Sequence, residues 1–332
     1  MTGIGYNRPF GRTAKFARQP RFATRARFDL RASGNRSPLI ASVQRTLATE
    51  HMDREGFIYL DIEHPVVAWN TYRGVLMSRE QVWARHGHGA VSLRLAGIFD
   101  SGDFQRLRSE LAIDAIRVRD FPSAVSRLSG MFVFDEVESA LAAEQAAWGG
   151  HINSDYLTDV GLTYGAATRV DANWITQMLD HDANLVPGWE QLAVKYWSGE
   201  ASGATPIWEL LVDGGATVWG TRIRTLAYEV IQSRYPQSLG LLEECRIAAR
   251  LGFSLGHVSS WLTRKEDHTE LAFYLDNTSD GDPMYLAAVQ EYLRTASPDS
   301  VNARALFATP GLARLPDLTS YSKALTLGPA PS

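Results

Sequence analysis

Glu209 is the residue most able to do chemistry, because it places one carboxylate inside the apolar stretch 207–212. Alternate side chains of a strand share a face, so Ile207, Glu209 and Leu211 would point the same way. Burying a carboxylate among apolar side chains is unfavourable unless the group is paired or has a function. Glu209 is therefore a candidate catalytic residue. The alternative is a strand end at which that face meets solvent.

The segment Tyr72-Arg73-Gly74 could bind an anionic ligand. It closes a stretch that is predicted to be extended. The guanidinium of Arg73 offers a fork of N–H donors that fits a phosphate, and Gly74 would let the backbone approach the ligand. The alternative is a solvated arginine at a strand end.

The segment Ser126-Arg127-Leu128-Ser129 supplies two hydroxyls and a guanidinium directly before a predicted buried strand at 131–134. Loops that lead into core strands often carry site residues. Ser126, Arg127 and Ser129 are therefore candidate binding residues, and an ordinary polar turn is the alternative.

Metal and thiol chemistry are less favoured. His86 and His88 form a His-x-His pair, but nothing with suitable Asp, Glu or His spacing nearby completes a metal shell, so we expect a glycine-rich loop and no metal. Cys245 is the one cysteine and lies in an apolar helical pattern, which favours a small core residue. A chain that cannot form an intrachain disulfide fits a reducing compartment, and we expect a cytoplasmic location.

Charge is distributed unevenly along the 332 residues. Residues 1–45 hold ten basic residues and one acidic residue, a net charge of +9, which leaves −13 for the rest to reach the total of −4. Phenylalanines recur every six residues among these arginines, a composition that can contact phosphates and stack on bases. The arm could equally pack on the acidic body or on a partner subunit, or be an organelle transit peptide. Because no run of 18 apolar residues occurs, we expect no membrane contact.

Periodicity and turn signals place these candidates on an α+β framework. They predict strands at 57–62, 66–72, 113–118, 131–134, 156–163, 192–197, 207–212 and 216–219, the last two joined by a hairpin turn at Gly214-Gly215. They predict helices opened by Ser78 and at 104–111, 139–148, 172–179, 223–233, 239–250, 256–264 and 285–294. The predicted organisation is a basic, disordered arm at 1–50, an α+β domain at 51–220, a helical extension at 221–308 and a flexible tail at 309–332.

An early Tyr-Arg-Gly, a Ser-x-x-Ser loop that leads into a strand and an alanine-rich helix, and a later strand with a lone Glu occur in this order. The combination resembles mono-ADP-ribosyltransferases of the Arg–Ser–Glu type, including poorly described bacterial and phage members. The resemblance covers roughly residues 51–220. It implies a split, strand-rich ADP-ribosyltransferase-like core, with NAD as the substrate that donates ADP-ribose.

The resemblance also implies roles for individual residues. Arg73 would hold the NAD pyrophosphate or ribose side, and Ser129, or else Ser126, would support the nicotinamide-binding strand. Glu209 would bind the ribose 2′-hydroxyl and stabilise the oxocarbenium-like cation as nicotinamide leaves. The aromatic ring that stacks on nicotinamide could come from Tyr72, Tyr196 or Trp197, and His64 could replace Arg73 in a histidine-type site.

The identity of the acceptor is open. Members that modify arginine carry Glu or Gln two residues before the catalytic Glu, whereas this chain has Ile207. We therefore expect transfer of ADP-ribose to a protein or a nucleic acid, as in a toxin, defence protein or phage effector. One alternative is an NAD glycohydrolase with water as acceptor. The other is a non-enzymatic nucleic-acid-binding or virion assembly protein that uses the basic arm.

Overall fold

A computed structural model describes residues 52–86, 89–146, 152–279 and 281–295, together with Pro316, Leu318 and Lys323–Leu325. All of them belong to the compact unit Thr49–Ser332. The basic arm predicted at 1–50, His88 and most of the tail predicted at 309–332 lie outside the described residues.

The described part of the chain mixes helices with antiparallel strands, which confirms the predicted α+β class. Its strands are β1 (Met52–Tyr59), β2 (Val75–Met77), β3 (Ala90–Val91), β4 (Met131–Phe134), β5 (Leu157–Asp171), β6 (Trp208–Val218), β7 (Val258–Arg264), β8 (Thr269–Leu275) and β9 (Lys323–Leu325). Its helices are α1 (Pro65–Arg73), α2 (Arg79–His86), α3 (Leu93–Ser101), α4 (Phe104–Asp120), α5 (Val137–Gln145), α6 (Asn173–Met178), α7 (Trp189–Trp197), α8 (Thr221–Arg234), α9 (Leu239–Arg250) and α10 (Pro283–Thr295).

The larger sheet is organised around β6. Strand β5 pairs with β6 along its length, while the other edge of β6 pairs first with β4 and then with β2. Strand β1 pairs with β5 and meets β4 at one residue pair, Phe57 and Phe134. Strands β1, β5, β6 and β4 therefore close into a ring. The edge of β6 opposite β5 pairs with β4 along its first part and with β2 along its last part.

Gly214 and Gly215 lie inside β6, so the predicted hairpin between them is wrong. A Cβ added to Gly214 would lie 2.3 Å from the carbonyl oxygen of Thr163 on β5. The register of β5 against β6 also shifts between Tyr164 and Ala166. The glycine is thus needed because two backbones approach closely beside a bulge, rather than because the chain turns.

Residues 66–72 were predicted to be extended, but they form the buried helix α1. Pro65 occupies the first helical turn, where its missing N–H costs nothing, and His64 caps the helix by accepting a hydrogen bond from the Val66 amide. The helix ends at Gly74, whose φ is 100°. Because α1 is buried on nearly every side, its sequence lacks the alternation of apolar and polar faces that marks a helix. Its β-branched, apolar residues therefore suggested a strand.

Two further strand predictions are wrong for the opposite reason, because their helical period was overlooked. Residues 113–118 belong to α4, in which Ile113 and Ile116 are buried one turn apart. Residues 192–197 belong to α7, which buries Ala193, Tyr196 and Trp197. Both segments follow the three- and four-residue spacing of a helix face.

The segment 256–264 was predicted to be a helix, but most of it forms β7. Strands β3, β7, β8 and β9 make a second antiparallel sheet. The buried residues Val258 and Ser260 alternate with more accessible ones, which is the strand period. The region predicted as a helical extension therefore contributes strands β7 and β8 as well as α8, α9 and α10.

The core beside the candidate site lies between the larger sheet and helices α4, α6 and α7. It includes Ile113, Val170, Met178, Tyr196 and Leu211, all buried. Each helix contributes one apolar face, and burial of that surface is the main stabilising contribution. Within the described residues, the longest apolar helices fall short of what a membrane crossing requires.

Candidate functional site

Glu209 is the second residue of β6 and lies between β4 and β5, opposite Phe134 and Val170. Its side chain is 9% exposed. Just upstream, the amide of Ile207 donates to Oδ1 of Asp171, which positions the chain as it enters the sheet. The predicted strand and the predicted burial of this carboxylate are both present in the structure.

Arg127 reaches Glu209 from the loop before β4. Its Nη1 lies 3.9 Å from Oε2 of Glu209 and donates a 2.7 Å hydrogen bond to the hydroxyl of Tyr196. Its Nε donates to Oε2 of Glu110 at 3.0 Å. Two segments that are far apart in sequence, the Ser-x-x-Ser loop and α7, therefore meet at the start of β6.

Glu110 is the ionic centre of this cluster. It lies on α4 with its side chain fully buried, and it accepts hydrogen bonds from three arginines. Arg127 donates to both carboxylate oxygens, through Nε to Oε2 at 3.0 Å and through Nη2 to Oε1 at 3.4 Å. Arg94 at 2.6 Å and Arg106 at 3.0 Å also donate to Oε1. The cluster of these three arginines with Glu110, Glu209 and Tyr196 is called the arginine cluster below.

The pKa values of the two carboxylates of the arginine cluster are shifted in opposite directions. Burial raises the pKa of Glu209 above its usual range, and Arg127 and Arg94 only partly oppose this. Burial acts in the same direction on Glu110, but Arg127 and Arg94 outweigh it and hold the pKa of Glu110 well below its usual range. Glu110 is thus a fixed negative charge, whereas Glu209 is the member that can change its protonation state.

Oε2 of Glu209 is buried and accepts no hydrogen bond from the part of the chain that the structure describes. The nearest cation, Arg127, is already engaged by Glu110 and Tyr196. A buried polar atom without a partner is uncommon and points to an ordered water or a ligand group. Glu209 therefore has capacity for an additional hydrogen-bond donor.

The two serines of the loop shape it instead of lining the cluster. Ser126 donates from its hydroxyl to Oδ1 of Asp114 at 2.6 Å and accepts from the Leu128 amide. The carbonyl of Ser129 accepts from the amide of Arg79. Both residues are buried, and they hold the loop so that Arg127 points towards Glu110.

Tyr72, Arg73 and Gly74 lie elsewhere. Val75 pairs with Thr217, which is eight residues along β6 from Glu209 and so about 26 Å away at the rise of a strand. Arg73 is buried and donates to the carbonyls of Phe253 and Leu255, and the Tyr72 hydroxyl donates to Glu243. The structure thus brings Arg127 and Glu209 together but not Arg73.

Sequence reasoning missed Glu110, Arg94 and Arg106. One signal was present, since Arg106 and Glu110 are four residues apart and so adjacent on a helix. The predicted helix at 104–111 contains both residues, but such a pair ordinarily lies on a solvated helix face, so its burial was not expected. No sequence pattern links Arg94, on α3, to a carboxylate on α4.

No protein-family model matches this chain, and no curated protein matches it significantly. Any function must therefore be inferred from the geometry of the molecule.

Proposed function

We propose that this protein cleaves NAD and transfers ADP-ribose to a protein or nucleic-acid acceptor, with Glu209 as the catalytic carboxylate. The observation that carries the proposal is the meeting of Arg127 and Glu209, 82 positions apart in sequence, across the paired strands β4 and β6. These residues come from two of the motifs that resemble Arg–Ser–Glu ADP-ribosyltransferases. The chain also has the strand-rich α+β class that the resemblance implies.

Glu209 suits the chemistry because positive charge develops on the ribose as nicotinamide leaves. A carboxylate held in a water-poor site stabilises that charge more in the transition state than in the ground state. Oε2 of Glu209 can accept a hydrogen bond from the ribose 2′-hydroxyl, which gives this buried acceptor a partner. The approaching cation also favours the ionised form, against the raised pKa that burial imposes on Glu209.

Arg127 and Tyr196 are assigned as the groups that orient Glu209. Nη1 of Arg127 lies 3.9 Å from the carboxylate, and the Tyr196 ring packs at an angle against Trp197 with centroids 4.8 Å apart. Ser126 and Ser129 support the loop. Arg73, Gly74 and Tyr72 are left out of the proposed site because of their distance along β6.

The acceptor class stays open in this proposal. Ile207 occupies the position at which arginine-modifying members carry Glu or Gln, and it is buried with its amide bonded to Asp171. An apolar side chain there cannot accept a hydrogen bond from an incoming arginine. Nucleic acid or another protein side chain therefore suits the site better.

The test uses NAD labelled in its adenosine half, incubated with the full chain and with DNA, RNA or cell lysate. We expect release of nicotinamide and transfer of label, and we expect Glu209→Gln to reduce both by about a thousandfold. The matched control is Glu266→Gln, which changes an exposed carboxylate in the β7–β8 turn and leaves both unchanged.

Two results would reject the proposal: no nicotinamide release in any mixture, or release that Glu209→Gln leaves unaltered. Nicotinamide release without transfer of labelled ADP-ribose would instead identify water as the acceptor and the protein as an NAD glycohydrolase.

A further inference from the structure

The arginine cluster carries more positive charge than its own carboxylates neutralise. Arg94, Arg106 and Arg127 all converge on Glu110, and the second carboxylate, Glu209, has its pKa raised by burial. When Glu209 is protonated, three guanidiniums face a single negative charge. An uncompensated positive charge at a partly covered site attracts an anion.

The two outer arginines are accessible to such an anion. The side chain of Arg94 is 30% exposed and that of Arg106 is 26% exposed, whereas that of Arg127 is only 5% exposed. Arg94 and Arg127 both lie within 5.0 Å of the centre of the Phe132 ring, so the guanidiniums are held in place by packing as well as by Glu110.

Their positions are unfavourable for the stability of the isolated helices. Arg94 lies in the first turn of α3, and Arg106 lies in the first turn of α4. The helix dipole is positive at that end and favours anions, so a cation there is destabilising. On α4 the N-cap carboxylate of Asp103, which accepts from the Arg106 amide, offsets this effect, whereas α3 is capped by Ser92 and has no acidic residue in its first turn.

Two buried polar atoms of the cluster lack partners within the described residues: the donor Nε of Arg94 and the acceptor Oε2 of Glu209. The first belongs to the partly exposed side chain of Arg94, whereas the second lies 3.9 Å from Nη1 of the buried Arg127. A ligand that carries an anionic group and, further in, a hydroxyl would match both the charge and the free acceptor.

The geometry points to Arg94 and Arg106 as the binding site for the phosphate groups of a ribose-bearing ligand, with the diphosphate as the chemical class. The inference rests on the proposed function, because the diphosphate that Arg94 and Arg106 would hold is that of NAD. The phosphate oxygens accept hydrogen bonds from the outer guanidiniums, and the ribose hydroxyl donates to Glu209.

Inorganic pyrophosphate is the probe, measured by titration calorimetry on the full chain. We expect binding that weakens about tenfold in Arg94→Gln and again in Arg106→Gln, because each variant removes charge-assisted hydrogen bonds. Arg108→Gln is the matched control, since Arg108 lies on α4 two residues from Arg106 but is exposed. Circular dichroism of each variant checks that the fold is kept.

Absence of pyrophosphate binding by the unaltered chain, or equal weakening by Arg108→Gln, would overturn the assignment. Its failure is distinguishable from failure of the proposed function. Pyrophosphate binding that depends on Arg94, without NAD cleavage, keeps the anion site and rejects the transferase. NAD cleavage with a KM that neither Arg94→Gln nor Arg106→Gln raises keeps the transferase and rejects the anion site.

Discussion

Two buried arginines illustrate two uses of one side chain. Arg73 and Arg127 are both nearly inaccessible to solvent. Arg73 donates to backbone carbonyls of Phe253, Leu255 and Val75, whereas Arg127 meets a carboxylate and a phenol and approaches Glu209. Burial alone therefore does not distinguish a structural arginine from one in an electrostatic cluster. The distinction lies in whether its hydrogen-bond acceptors are neutral carbonyls or charged carboxylates.

The pKa values of the two arginines move in opposite directions. Burial lowers the pKa of Arg73 to about 10, because carbonyl dipoles only partly replace water. Burial acts the same way on Arg127, but Glu110 and Tyr196 more than compensate, so the pKa of Arg127 is raised. Arg73 links α1 to the segment before β7, whereas Arg127 couples two carboxylates to each other.

The largest expected effect is on stability when Arg127 is replaced. Arg127→Met leaves Glu209 without its nearest cation and removes one partner of buried Glu110, so we expect a loss of about 3–5 kcal/mol in the free energy of unfolding. Urea unfolding measures it, with Arg108→Met as an exposed control that should not change the midpoint. A loss no greater than that of the control would mean that Arg127 is not coupled to the carboxylates.

Replacing Arg73 should cost less. Arg73→Met leaves several carbonyls without a donor but no buried charge, so we expect a loss of about 2 kcal/mol. The same urea experiment measures it. The comparison becomes sharper if NAD cleavage is measured per folded molecule, because Arg73→Met should leave it unaltered. A drop in NAD cleavage by Arg73→Met would show that Arg73 belongs to the site.

The smallest effect is a pH dependence specific to Glu209. The folded-state pKa of Glu209 is raised, so the neutral group contributes stability that is fully present below its ordinary pKa of 4.5 and is lost as pH rises through the folded-state pKa. We expect unfolding free energies of the unaltered chain, relative to Glu209→Gln, to fall with pH in that window. A difference that does not change with pH would show that Glu209 is not desolvated.

Glu110 provides the internal reference for that measurement. Its folded-state pKa is lowered, so its contribution is present above its ordinary pKa of 4.5 and is lost as pH falls below it. Glu110→Gln should therefore flatten the acid limb of the stability profile, opposite to the effect of Glu209→Gln.

Part of this molecule could be predicted from local sequence. The strand at Met131–Phe134, the helix opened by Ser78 and the strand that carries Glu209 all follow from short-range patterns, and the structure contains each of them. Glu209 and the Arg127 loop were identified as candidates because polar groups next to apolar strands require an explanation. These inferences depend on neighbours within a few positions, which a sequence displays directly.

Only the tertiary structure decided which partners those groups meet. Two of the three carbonyls that bind Arg73 come from residues about 180 positions later, whereas Glu110 lies 17 positions before Arg127. The burial of α1 on nearly every side and the close approach of β5 to Gly214 likewise depend on distant segments. Side-chain type sets what a group can bind, but the packing of elements far apart in sequence determines what lies within hydrogen-bond distance.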